Sequence, residues 1–370
     1  MAESGSMEPI AGLAATHPLV DGCTGDSPLV QALRGVRPAR TPVWFMRQAG
    51  RSLPEYRAAR AGTTMLQACL DPDLAAELTL QPVRRHGVDA AVFFSDIVVP
   101  LRLAGVAVEL DAGVGPVLDH PYRTPDDVAQ LVEHELTDDA LAPVREAVAR
   151  SVAPLGTTPL IGFAGAPFTL AAYLAEGRGS RDHLAARRLM HADPPTWRRL
   201  VDWAADVTGR FLTAQVAAGA SAAQLFDSWA GGLSLADYET HVAPASVRAL
   251  TGVAALGVPV IHFGVGAGHL LAAMRDVLVA AGVASPAIGV DYRTPLDEAA
   301  RAVGPLPLQG NIDPAMLAAP WPVLDGHVRE VMRRGRLAPA HVVNLGHGVP
   351  PDADPDVLTR VVGLVHEAAS

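Results

Sequence analysis

The chain has 370 residues, 49% apolar and 18% charged, enough to bury a large core and too apolar for a disordered protein. Its net charge of −10 argues against nucleic acid as a partner, so any cationic site must be local and enclosed. All 29 basic side chains are arginines, and without lysine there is neither a Schiff base nor a Walker-type phosphate loop.

Residues 1–27 are rich in Gly, Ser, Pro and Ala and lack the charged-then-apolar order of a signal peptide. They are expected to form a loosely ordered tail ahead of one domain spanning 28–370. Apolar runs of strand length then recur at 43–46, 88–94, 160–163, 223–226, 258–263, 287–290, 306–309 and 341–344. Most end in a polar or glycine-rich step and lead into a helical segment, the pattern of a parallel sheet covered on both faces. Eight such units predict a single-domain α/β protein, a (β/α)8 TIM barrel, with an open doubly wound sheet as the alternative. After the second run, Val106 to Leu118 alternates apolar and polar residues around Gly113 and Gly115 and predicts a hairpin insertion. Helices are expected near 125–130 and 140–152, starting at Thr124 and at Asp138 or Asp139. The uncharged stretch 249–274 is broken by Gly257, Pro259, Gly264, Gly266 and Gly268, so it reads as strand, glycine loop and helix rather than a membrane span. Cys23 and Cys69 are too few for a disulfide framework and lack zinc-site spacing, which fits a cytoplasmic protein.

In such a barrel the chemistry lies just beyond the C-terminal ends of the strands. The first run ends in Met46-Arg47-Gln48-Ala49-Gly50-Arg51, with two guanidinium forks suited to a substrate bearing several carboxylates. If helical, the spacing of four sets both on one face; the alternative is a pair of solvated surface arginines. The second run delivers Asp96, which could equally cap the next helix. The third leads to Tyr173, the fourth to Ser228, the sixth to Asp291, the seventh to Asn311 and the eighth to His347. The loop Gly264-Val265-Gly266-Ala267-Gly268 reads as a tight strand-to-helix connection rather than a phosphate cradle.

Five motifs carry a family resemblance. Arg47-Gln48-Ala49-Gly50-Arg51, Phe94-Ser95-Asp96-Ile97, Gly162-Phe163-Ala164-Gly165-Ala166-Pro167-Phe168-Thr169-Leu170, Gln309-Gly310-Asn311 and Asn344-Leu345-Gly346-His347-Gly348 resemble the uroporphyrinogen decarboxylase family, in order from about residue 27 onward. Ser52, Tyr292, His191 and Arg187/Arg188 depart from residues usual in that family. The resemblance implies stepwise decarboxylation of the four acetate side chains of uroporphyrinogen III to methyls, giving coproporphyrinogen III in porphyrin and heme biosynthesis. It also implies no metal, no organic cofactor, no membrane partner, and a cytoplasmic homodimer.

Carried onto this chain, the resemblance implies Asp96, Arg47 and Tyr173 as catalytic residues. Arg47, Gln48, Ala49, Gly50, Arg51, Asp96, Tyr173, Ser228 and His347 would contact substrate. Two other readings keep the same frame. A corrinoid-linked methyltransferase would need a His and Cys zinc site at the strand ends, where neither cysteine stands. A non-catalytic tetrapyrrole or polycarboxylate carrier would be hindered by Asp96, a carboxylate placed in a polyanion's site.

Overall fold

A computed structural model describes residues 12–111 and 113–368. Seven strands form one parallel sheet in the order β1 (Ala91–Val92), β4 (Leu160–Gly165), β5 (Ala222–Asp227), β6 (Val260–Gly264), β7 (Pro286–Gly289), β8 (Leu308–Gln309) and β9 (His341–Val342). Every neighbour in the sheet follows in chain order, so the sheet curls in one direction. Strands β4 and β6 are buried at every position, as continuous apolar runs between helices require. Between β1 and β4, β2 (Val108–Asp111) and β3 (Gly115–Leu118) pair antiparallel in a separate two-stranded sheet.

The first expected strand, 43–46, is not a strand. Only Val43 bridges, in parallel, to Val343. The reason lies in side-chain amides that take up the backbone donors a ladder would use. Gln48 Oε1 accepts the Phe45 N–H at 3.0 Å and Asn344 Oδ1 accepts the Met46 N–H at 2.9 Å. The segment nevertheless spans the two edges of the sheet. On the β9 side, the Trp44 N–H donates to Val343 at 3.2 Å and the Val343 N–H to Pro42 at 2.8 Å. On the β1 side, the Asp89 N–H donates to the Val43 carbonyl and the Val43 N–H to Asp89 Oδ2, both at 2.8 Å. Buried Asp89 also takes Arg40 and His366.

A polar ladder crosses the interior. The Trp44 indole N–H donates to Gln309 at 3.0 Å, and the Gln309 amide donates to Gln224 at 2.9 Å. All three side chains are buried, so each bond satisfies groups that would otherwise be costly inside a core.

Two further expectations need correction. The segment 12–27 is not a loose tail: Leu19 and His17 are buried, His17 Nε2 lies 3.0 Å from the Val216 carbonyl, and the Thr24 and Ser221 hydroxyls meet at 2.8 Å. Residues 1–11 lie outside those described. The helix expected from Asp138 or Asp139 runs Ala142–Leu155, with Leu141 rather than an aspartate at its cap. Thr124 does start its helix, Pro125–Leu131, through a capping box with Asp127. No described helix is long and apolar enough to cross a membrane. The stretch 249–274 breaks into the end of a helix, β6 and the start of another helix.

Candidate active site

The Arg47 loop is stitched into place from both sides of Met46. Its N–H donates to Asn344, and its carbonyl accepts the Val349 N–H at 2.8 Å. The loop is therefore joined to the segment bearing His347 and Gly348. It is a succession of turns rather than a helix, so the two arginines do not share a helical face. Arg47 itself adopts φ 61°, a left-handed conformation that non-glycine residues take at a cost and that clusters at functional sites.

Gly348 makes room for this arginine. A Cβ there would come within 2.6 Å of the Arg47 Cδ, so the Arg47 stem lies directly across the glycine. Among the described residues neither Arg47 nor Arg51 has a carboxylate partner, whereas Arg40, Arg210 and Arg248 are paired. Arg47 and Arg51 are both exposed.

Opposite stands Asp96. One oxygen accepts the Val98 N–H at 3.1 Å, a turn that feeds the helix Val99–Leu103. Among the described residues no donor is bonded to its second oxygen. Burial pushes the Asp96 carboxyl above the usual carboxylate range, opposed by the Val98 N–H and by the Arg47 charge. Tyr173 lies within electrostatic reach of both. Burial first, and then Asp96, raises its phenol to about 12, so it stays a protonated donor at neutral pH. His347 is held below its usual value by desolvation first, then by Arg47 and Arg293. It is neutral near pH 7 and can donate from one ring nitrogen while accepting at the other.

Ser228 follows Asp227, the last residue of β5, and is half-buried. Beneath it the Thr169 hydroxyl donates to Asp227 Oδ1 at 3.1 Å, and His262 lies 3.8 Å from Oδ2. Beside it an aromatic stack runs from Tyr173 to Trp229, at 4.0 Å between ring centroids, and on to His183, at 4.2 Å. Phenylalanines from β4, β5 and β6, Phe163, Phe226 and Phe263, meet edge to face at 5.4 and 5.8 Å. An apolar body rimmed by acids would match these surfaces.

Arg47 thus lies within electrostatic reach of Asp96, Tyr173 and His347. Gln48 does not present its side chain to that group. It is wholly buried, accepting from the Phe45 N–H and donating to the Ala90 carbonyl at 3.0 Å. Ala49 and Gly50 are half-buried on the same loop. Sequence reasoning missed Arg293, which donates to Asp291 at 2.9 Å, stacks over Tyr292 at 4.7 Å and faces His347. Its one signal was its place two residues beyond Asp291, at the end of the sixth unit.

A family model described as "Uroporphyrinogen decarboxylase (URO-D)" matches residues 24–368. This chain belongs to the uroporphyrinogen decarboxylase family. Relatives named uroporphyrinogen decarboxylase include one from Arthrobacter sp. (strain FB24), 66% identical over 94% of this chain and 99% of its own length. Another, from Leifsonia xyli subsp. xyli, is 60% identical over 96% of this chain and 98% of its own length. Members of this family are carboxy-lyases. Among solved structures, a methyltransferase from Methanosarcina mazei superposes with a TM-score of 0.77 at 18% identity, covering 94% of this chain and 99% of that one. That likeness is one of fold.

Proposed function

We propose that this chain removes CO2 in turn from the four acetate side chains of uroporphyrinogen III, leaving methyls and giving coproporphyrinogen III. The observation that carries the assignment to residues is Asp96, a recessed carboxylate with one oxygen free, set across from an unpaired Arg47. Loss of CO2 leaves an electron pair that needs a sink. The substrate provides one when a pyrrole carbon is protonated and the ring becomes an iminium cation. The bond between the acetate methylene and its carboxylate then breaks, and its electrons neutralise the ring as an exocyclic methylene. A proton added to that carbon gives the methyl, and the first proton leaves the ring, so each turn consumes one proton and releases one CO2.

Asp96 stabilises the cation through the pyrrole N–H groups. Such an interaction strengthens in the transition state and therefore raises turnover. Arg47 and Arg51 grip the peripheral carboxylates, with Arg47 also near enough to Asp96 to oppose part of the effect of its burial. Tyr173 donates toward Asp96, while Ser228 and His347 hold further substrate acids. Gln48 shapes the loop from within, letting Ala49 and Gly50 bring backbone near the ligand.

The same reading takes the sheet, with the bridge at Val43, as a closed (β/α)8 barrel carrying the β2–β3 hairpin as an insertion. It takes the protein as a homodimer working in the cytoplasm. Anaerobic incubation with uroporphyrinogen III should yield hepta-, hexa- and pentacarboxylate species and then coproporphyrinogen. Purified protein that releases no CO2 from this substrate would end the assignment.

A further inference from the structure

His191 lies in the last turn of the helix Leu184–Ala192, while Asp237 and His241 belong to the helix Leu235–His241. Four residues apart on one helix, Asp237 and His241 project from the same face. His191 meets that face from the neighbouring helix, with Nε2 3.5 Å from an Asp237 oxygen and its ring 5.7 Å from that of His241. One ligand atom from each lies within 4.8 Å of the other two. We propose that His191, Asp237 and His241 form a surface site for a divalent transition-metal cation, with Zn2+ as the best-fitting ion.

Two imidazoles and a carboxylate suit zinc, whose bonds to such ligands are about 2.0–2.2 Å, and leave a fourth position for water. Ligand atoms around a tetrahedral ion of that size stand about 3.4 Å apart, so side-chain rotation alone can close the set. The main chain is already anchored for this. The His241 carbonyl accepts the Trp197 indole N–H at 3.0 Å, and the Asp237 N–H is capped by Ser234 at 3.1 Å. The site lies on helices rather than at strand ends, apart from Arg47, Asp96 and His347. Its ion would pin together the helix that begins after His183 and the helix that follows Trp229, two members of the aromatic stack.

The test is titration of the full chain with ZnCl2 by calorimetry, together with thermal unfolding in the presence and absence of zinc. Wild type should bind one zinc per chain and unfold a few degrees higher when loaded. His191→Ala and His241→Ala should each weaken binding at least about tenfold, and Asp237→Asn should do so while keeping the side-chain shape. Cys23→Ser, which removes the exposed thiol, should leave binding unchanged. Absence of stoichiometric binding, or binding that survives all three site substitutions, would overturn the proposal and leave an ordinary His–Asp contact. The metal-free variants should unfold at the wild-type temperature, because His191 is exposed and the other two are only half-buried.

Discussion

Replacing Asp96 with Asn removes one charge while keeping an oxygen for the Val98 N–H, so the local turn should survive. The charge is what the proposed mechanism uses. A carboxylate about 4 Å from a unit positive charge is worth about 4 kcal/mol at an effective dielectric constant of 20. The amide dipole retains part of this, so the net loss is roughly 3–4 kcal/mol, or about 10² to 10³ in turnover. Binding should move the other way, since a neutral group repels a polyanion less, and KM should hold or fall. The fold should gain. Burial raises the Asp96 pKa, so the ionised form is disfavoured in the folded chain above the unfolded carboxylate pKa, and the neutral variant escapes that penalty at pH 7. Anaerobic product separation gives kcat and KM, and thermal unfolding gives stability. An Asn variant within about threefold of wild-type kcat would refute the electrostatic role.

Four other substitutions and one condition test the same geometry. Arg51→Ala should raise KM about tenfold with kcat within threefold, because an exposed, unpaired guanidinium contributes binding rather than chemistry. Gly348→Ala should push the Arg47 stem aside and raise KM while leaving the unfolding temperature near wild type; unchanged kinetics would refute the packing argument. Gln48→Ala should cost about 2–3 kcal/mol of stability by orphaning the Phe45 N–H and the Ala90 carbonyl, visible in denaturant unfolding. The acid limb of kcat/KM should lie above the ordinary aspartate value of about 3.9, since activity is lost as Asp96 protonates. Arg47→Ala removes a charge that opposes the rise, so any residual activity should show that limb at higher pH still.

Where apolar runs were long and flanked by glycine, strands were legible: β4, β5 and β6 lie where periodicity places them. The run 43–46 has the same composition yet bridges only at Val43, because Gln48 and Asn344 supply side-chain partners that no local pattern announces. The anchoring of residues 12–27 was equally hidden, since His17 and Thr24 find partners about 200 residues away, at Val216 and Ser221. In the candidate site, Asp96, Tyr173 and His347 stood out in the sequence as polar residues beyond strand ends. Arg293 was not, because its relation to His347 arises only once the sixth and eighth units are folded on either side of the seventh. The left-handed backbone of Arg47 was beyond sequence reasoning as well, since nothing but glycine advertises that conformation.

The double attachment of Met46, to Asn344 and to Val349, has a consequence for how the protein comes into being. The loop bearing Arg47 and Arg51 is synthesised well before Asn344 and Val349, the residues that fasten it. A nascent chain therefore carries both arginines through that interval without the bonds that hold their loop. The loop takes its described shape only once that later segment has docked, so its conformation depends on a contact about 300 residues further along the chain.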